Sequence, residues 1–154
     1  MKKAQKPVLT IPELLEVSRG FAEEESGHSE KSLFGVTDGK AVGTYLEHKF
    51  QDRLAARYRY ERGSSARGID LPELDIDIKT TSIAQPQSSC PFKSARQKIY
   101  GLGYSLLVFV YDKIDNPRTK SAVLNIRHVV FVEESRTVDF QTTGGVRGIL
   151  VNSG

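Results

Sequence analysis

Apolar residues in the first third of the chain recur at helical spacing. After Thr10, the residues Leu14, Leu15, Val17 and Phe21 follow the 3.6-residue period closely, and Pro12 falls in the first turn, where its missing N–H costs nothing. A helix is therefore predicted over residues 11–25, ended by the polar run 23–29. Asp38 is a good N-cap, and Val42, Leu46, Phe50 and Leu54 lie four apart on one face, which predicts a second helix after Asp38. Gly43, lacking a side chain, would let a neighbour approach that helix closely.

Beyond Tyr58 the pattern turns to strands, predicted at residues 69–71, 74–81 and 105–111. The last is an unbroken apolar run and reads as a central buried strand. Residues 91–100 suit a short helix, with Pro91 at its start, Gly101 past its end and Phe92, Ala95, Ile99 and Leu102 along one side. Two further strands, 122–126 and 128–133, follow the loop Asn116, Pro117 and Arg118; another covers 137–141, while 146–151 fits a helical turn or a strand. No repeat, low-complexity tract or long linker divides the sequence. The expected architecture is α/β, a mixed central sheet flanked by helices in one domain over residues 1–154.

Composition removes several classes. The 154 residues are ordinary for one globular domain, no apolar run nears the roughly 20 residues of a bilayer span, and the start lacks the apolar stretch of a signal peptide. A cytoplasmic location is expected. The single cysteine, Cys90, excludes an internal disulfide and a cysteine-based zinc site. The net charge of +3 is too small to imply a polyanionic partner by itself, but its distribution is informative. Residues 40–67 hold seven basic side chains against three acidic, whereas 68–79 hold four acids against one lysine. An acidic knot between basic stretches suits a protein that attracts phosphates and holds a divalent cation where they meet.

Within that knot, GIDLPELDIDIKTT, the charged residues Asp75, Asp77 and Lys79 alternate with Ile76 and Ile78, so a strand would send all three to one face. Such charges are costly to bury unless they pair or bind metal. In a continuous strand Asp70 and Asp77 would stand about 23 Å apart. Pro72 changes that, because it fixes φ and donates no ladder bond, so Leu71-Pro72-Glu73-Leu74 suits a turn that brings Asp77 back to Asp70. Two converging carboxylates offer hard oxygen ligands for Mg²⁺, with positions left for water and a phosphate oxygen. Lys79 would reach the attacking water.

Asp70, six residues, then Asp77-Ile78-Lys79 resembles the core motif of the PD-(D/E)xK nuclease superfamily, with aspartate as the second acid. The context agrees: an upstream glycine-containing helix carries Glu47 in GKAVGTYLEHKF, and a helix and an apolar strand follow the motif. Residues 39–112 look like the catalytic core of a type II restriction endonuclease, and the motif is also similar to that of mismatch-repair nicking endonucleases. The resemblance implies a restriction-endonuclease-like core over about residues 39–133 and hydrolysis of DNA phosphodiesters to 5′-phosphate ends. Asp70 and Asp77 would hold Mg²⁺, which Mn²⁺ could replace. Lys79 would act on the attacking water or the developing phosphorane charge, and Glu47 would be an accessory metal ligand. Asp75 is read as supporting charge. The end of the chain at Gly154, soon after the core, leads us to expect a piece of a longer enzyme.

For double-stranded DNA, Gln85, Gln87, Ser88 and Ser89 form a polar loop leading into a helix start, followed by Lys93 and Arg96. Phosphate contact is expected there before base readout, and Arg57, Arg59 and Arg62 carry similar weight. His28, His48 and His128 show no metal spacing, and Gly101-Leu102-Gly103 precedes a strand, which makes a poor nucleotide loop. A site-specific enzyme that cuts both strands would work as a homodimer. A nicking endonuclease and a catalytically silent DNA-binding module are the rival readings.

Overall fold

The computed structural model describes residues 5–63, 68–84, 103–134 and 149–153. Helix α1, Ile11–Ser26, begins after an extended Thr10 with Pro12 in its first turn, as its sequence predicts. Thr10 Oγ1 donates to Glu13 Oε2 at 3.1 Å, fixing an acid at the positive end of the helix. Helix α2, Gly39–Arg57, begins where Asp38 accepts a hydrogen bond from Lys40 N at 3.0 Å. Its expected stripe of Val42, Leu46, Phe50 and Leu54 is buried. The two helices meet the sheet through three aromatic rings: Phe50 lies 5.3 Å from Phe21 and 5.0 Å from Phe109, and Phe21 lies 5.7 Å from Phe109, centroid to centroid. Tilted and edge-on contacts of this kind join α1, α2 and the sheet into one core.

Among the described residues the sheet has five strands: β1 (Ser29–Glu30), β2 (Ile76–Ser82), β3 (Ser105–Asn116), β4 (Ser121–Val132) and β5 (Ile149–Ser153). Their order is β1-β4-β3-β2, with β5 also on β4. The β2–β3 pair is parallel and the others antiparallel, so the sheet is mixed as expected. Leu107, Phe109 and Tyr111 face the helices, whereas Leu106, Val108 and Val110 join Val130 and Val132 in a second apolar cluster on the other face. Burial on both faces explains the unbroken apolar run of β3.

Two strands were expected across residues 122–133, and the structure has one. Ile126 pairs with Tyr111 and His128 with Val110, so Arg127 has no opposite number and forms a bulge. The bulge flips the alternation: Leu124 and Ile126 point to the helices before it, Val129 and Phe131 after it. A change of parity in the sequence thus mimics a strand end. β3 also outruns its apolar run, because the hairpin carries it through exposed Asp115 to Asn116. Of the ambiguous residues 146–151, those from Ile149 onward are strand. The helix expected at 91–100 and the strand at 137–141 lie outside the described residues. No described helix is long and apolar enough to cross a membrane.

Candidate active site

The turn at Pro72 sets the geometry. Leu71 N donates to Ile76 O at 2.9 Å and Ile76 N to Leu71 O at 3.2 Å, closing an antiparallel bridge around a 3₁₀ turn at Pro72–Leu74. Leu74 and Asp75 were expected in the strand and belong instead to the turn. Asp75 has φ 53°, a left-handed conformation that closes so short a reversal and that aspartate tolerates better than most residues. Strand alternation therefore puts Asp77 and Lys79 on one face and leaves Asp75 exposed and apart from them.

The same turn lays Asp70 along the edge of β2 that no other described strand covers, and each acid accepts a backbone hydrogen bond from the other's segment. Ile78 N donates to Asp70 Oδ2 at 2.9 Å, and Asp70 N donates to Asp77 Oδ1 at 3.2 Å. Each carboxylate thus fixes the other's segment, using β2 backbone that the β3 ladder leaves free. Asp77 is only 4% exposed, and its Oδ2 meets Lys79 Nζ at 3.0 Å. Such a buried acid without a cation would be severely disfavoured.

Glu47 arrives from α2. Gly43 sits so close to β2 that a Cβ there would lie 2.5 Å from Thr80 Oγ1, which is the close approach expected of this glycine. One turn further on, Glu47 lines the same 460 Å³ cleft as Asp70, Asp77 and Lys79. Arg53, six residues beyond Glu47 on α2, pairs with Glu24. The structure thus brings together all four of the residues singled out for chemistry. Gln85, Gln87, Ser88, Ser89, Lys93 and Arg96 lie outside the described residues. Arg62 and His48 stand on the wall of the cleft, with Arg62 Nη1 held by Asp52 Oδ1 at 3.2 Å.

Burial and crowding of negative charge dominate the electrostatics. Burial first, then hydrogen bonding and repulsion from Asp77 and repulsion from Glu47, push the Asp70 carboxyl up to about 7, against the bond from Ile78 N. Burial also raises Glu47, with Lys79 opposing and Asp77 adding to the rise. For Lys79, burial works against the charge, but attraction and hydrogen bonding to Asp77, with Tyr104 and Glu47 adding, together raise the ammonium. Two acids held short of easy ionisation beside a single lysine form a site that lacks positive charge.

That donor set fits a hard divalent cation: carboxylate oxygens, partly desolvated, with their mutual repulsion unrelieved. Among the described residues there is no ready-made cluster of three or more His, Cys, Asp or Glu ligands. Mg²⁺ does not require one, because it commonly takes one or two carboxylates and completes its shell with water and substrate phosphate.

Three further residues shape the site, and the first two have no local signature. A Cβ on Gly63 would lie 1.7 Å from Ile69 O, and Gly63 N donates to Asp70 O at 2.8 Å, so this glycine presses directly on the Asp70 segment. Nothing in the sequence near a lone glycine tells which carbonyl it will meet. Tyr104, just before β3, lies close enough that Asp77 raises its hydroxyl pKa further beyond the rise from burial. Gln51 also lines the cleft and accepts from the Tyr60 hydroxyl at 2.8 Å. Its position was legible, since Gly43, Glu47 and Gln51 repeat every four residues along one face of α2.

Comparison with known proteins supplies a family. The family model for the type II restriction enzyme NspV matches residues 8–154. The type II restriction enzyme NspV of Nostoc sp. is 59% identical over 147 residues, covering 96% of this chain and 67% of that enzyme. No solved structure matches the chain.

Proposed function

Because the chain belongs to the NspV family of type II restriction enzymes, we propose that its cleft hydrolyses phosphodiester bonds of double-stranded DNA at a specific site, leaving 5′-phosphate ends. The family favours double-strand cleavage over the nicking alternative, and two copies of the chain would present one cleft to each strand. The observation that carries the reading is the mutual clasp of Asp70 and Asp77 with Lys79 on the second acid.

In this reading Asp70 and Asp77 would hold Mg²⁺, or Mn²⁺ in its place, and Glu47 would be an accessory ligand from α2. The bound cation supplies Lewis acidity and positive charge beside the scissile phosphate. Lys79, 3.0 Å from Asp77 and half exposed, points its ammonium from that acid into the cleft. It can orient the attacking water or donate to a phosphate oxygen as negative charge develops. The backbone bonds to Asp70 and Asp77 keep both carboxylates in place before substrate arrives, so little reorganisation accompanies the reaction.

The test is cleavage of unmethylated plasmid in Mg²⁺ by the wild type and by Asp77→Ala. The wild type is expected to give discrete fragments whose ends ligate without added phosphate. The variant should keep its circular dichroism spectrum and cut at least about 10³-fold more slowly. An Asp77→Ala protein that cuts at the wild-type rate would overturn the proposal.

A further inference from the structure

The cleft that holds the acids continues into a second groove of 380 Å³ between the start of α2 and the later half of β2. Glu47 and Lys79 form the shared wall. The chemistry changes across it. On one side stand Asp70 and Asp77; on the other, among the described lining residues, Glu47 is the only acid and the remainder include Lys40, Thr44, Thr81 and Ser82. Lys40 and Thr44 are exposed and four residues apart on one face of α2, so both point over the same opening.

We propose that this groove is a binding subsite for the DNA phosphate next to the one being cleaved, with Lys40 as its charged contact and the hydroxyls of Thr44 and Thr81 beside it. The proposal rests on the nuclease reading above and deepens it. An acid-rich cleft takes a cation and an acid-poor, donor-lined groove takes an anion. Two such compartments sharing one wall match a strand that places one phosphate at the cation and its neighbour alongside. The spacing agrees, since Thr81 is two residues beyond Lys79, or about 7 Å along an extended strand, the order of one nucleotide step. Asp38 already caps the first turn of α2, so the Lys40 side chain rather than the free end of the helix supplies the attraction.

The test reads binding, in Ca²⁺, to an oligonucleotide containing the mapped cleavage site, with and without a neutral methylphosphonate at the adjacent phosphate. Wild type is expected to lose about tenfold in affinity for the neutralised oligonucleotide. Lys40→Met should bind the normal oligonucleotide about tenfold more weakly, with a salt slope smaller by about 1, and should lose little more on neutralisation. Lys40→Arg should restore the wild-type pattern. Equal losses on neutralisation in wild type and Lys40→Met, or a wild type indifferent to it, would overturn the subsite. Cleavage by Asp77→Ala tests the nuclease reading separately, and a wild type that binds no DNA would overturn both.

Discussion

Gly63→Ala is a sensitive probe of how Asp70 and Asp77 are positioned. The added methyl would lie 1.7 Å from Ile69 O and 2.8 Å from its carbonyl carbon. Both atoms are backbone, so no side chain can swing aside. The two segments must separate by more than about 1 Å before ordinary contact returns. The bond from Gly63 N to Asp70 O, 2.8 Å long, ties that displacement to Asp70, whose carboxylate clasps Ile78 N. A misplacement of about 1 Å in a catalytic arrangement costs on the order of 100-fold in rate, and overpacking of this kind costs about 1–3 kcal/mol of stability. Gly63→Ala should therefore cut plasmid about 100-fold more slowly in single-turnover assays, need more Mg²⁺ to saturate, and melt a few degrees lower. Gly20→Ala is the control: its Cβ meets nothing within 4 Å in the middle of α1, so it should leave cleavage unchanged and raise stability by about 0.5–1 kcal/mol. Wild-type rate and Mg²⁺ dependence in Gly63→Ala would refute the claim that this glycine holds Asp70 in place.

Metal affinity should depend on pH through Asp70, because its carboxyl, raised from 3.8 to about 7, must lose its proton before it can bind a cation. Affinity for Ca²⁺ measured by calorimetry should climb from pH 5.5 and level off above about pH 7; a flat profile over that window would contradict the assignment. The same shift sets the sign for the metal-free protein. Since the folded state holds this proton more tightly than the unfolded chain, stability declines as pH rises from about 4 through 7, and Asp70→Asn should melt higher than wild type at pH 8 while failing to cut. Away from the cleft, Glu25 is 2% exposed and meets Lys49 Nζ at 2.8 Å and the Tyr45 hydroxyl at 2.7 Å. Glu25→Ala should cost about 2–4 kcal/mol in urea unfolding, and a loss under 0.5 kcal/mol would show that the network does not stabilise the α1–α2 contact. Phe50→Ala, which removes a ring packed against both Phe21 and Phe109, should cost about 3–5 kcal/mol by the same measurement.

The parts of the fold that could be read in advance are those specified locally. Thr10 with Pro12 and Asp38 with its four-residue apolar stripe determine where α1 and α2 begin, and Pro72 determines where the chain reverses, because each acts on its own turn. The features that escaped depend on partners distant in sequence. Arg127 becomes a bulge only because β3 lies opposite it, and the contact of Gly63 with Ile69 exists only after the turn has formed. Asp75 fell on the wrong side of a strand boundary because alternation alone cannot show where a turn ends. For the site, spacing suggested that Asp70 and Asp77 could meet, and the family resemblance supplied their chemistry. Their mutual backbone clasp appears only in three dimensions, since each bond joins residues seven or eight positions apart.

The most direct measurement is a crystal structure of the wild-type protein with its DNA in Ca²⁺, a hard cation that takes the same kind of oxygen ligands as Mg²⁺. A calcium ion bonded to an oxygen of Asp70, an oxygen of Asp77 and a phosphate oxygen is expected, with Lys79 Nζ facing the same phosphate. An ion bound elsewhere, with Asp70 still bonded to Ile78 N and Asp77 to Asp70 N and Lys79 Nζ and neither touching the ion, would contradict that assignment.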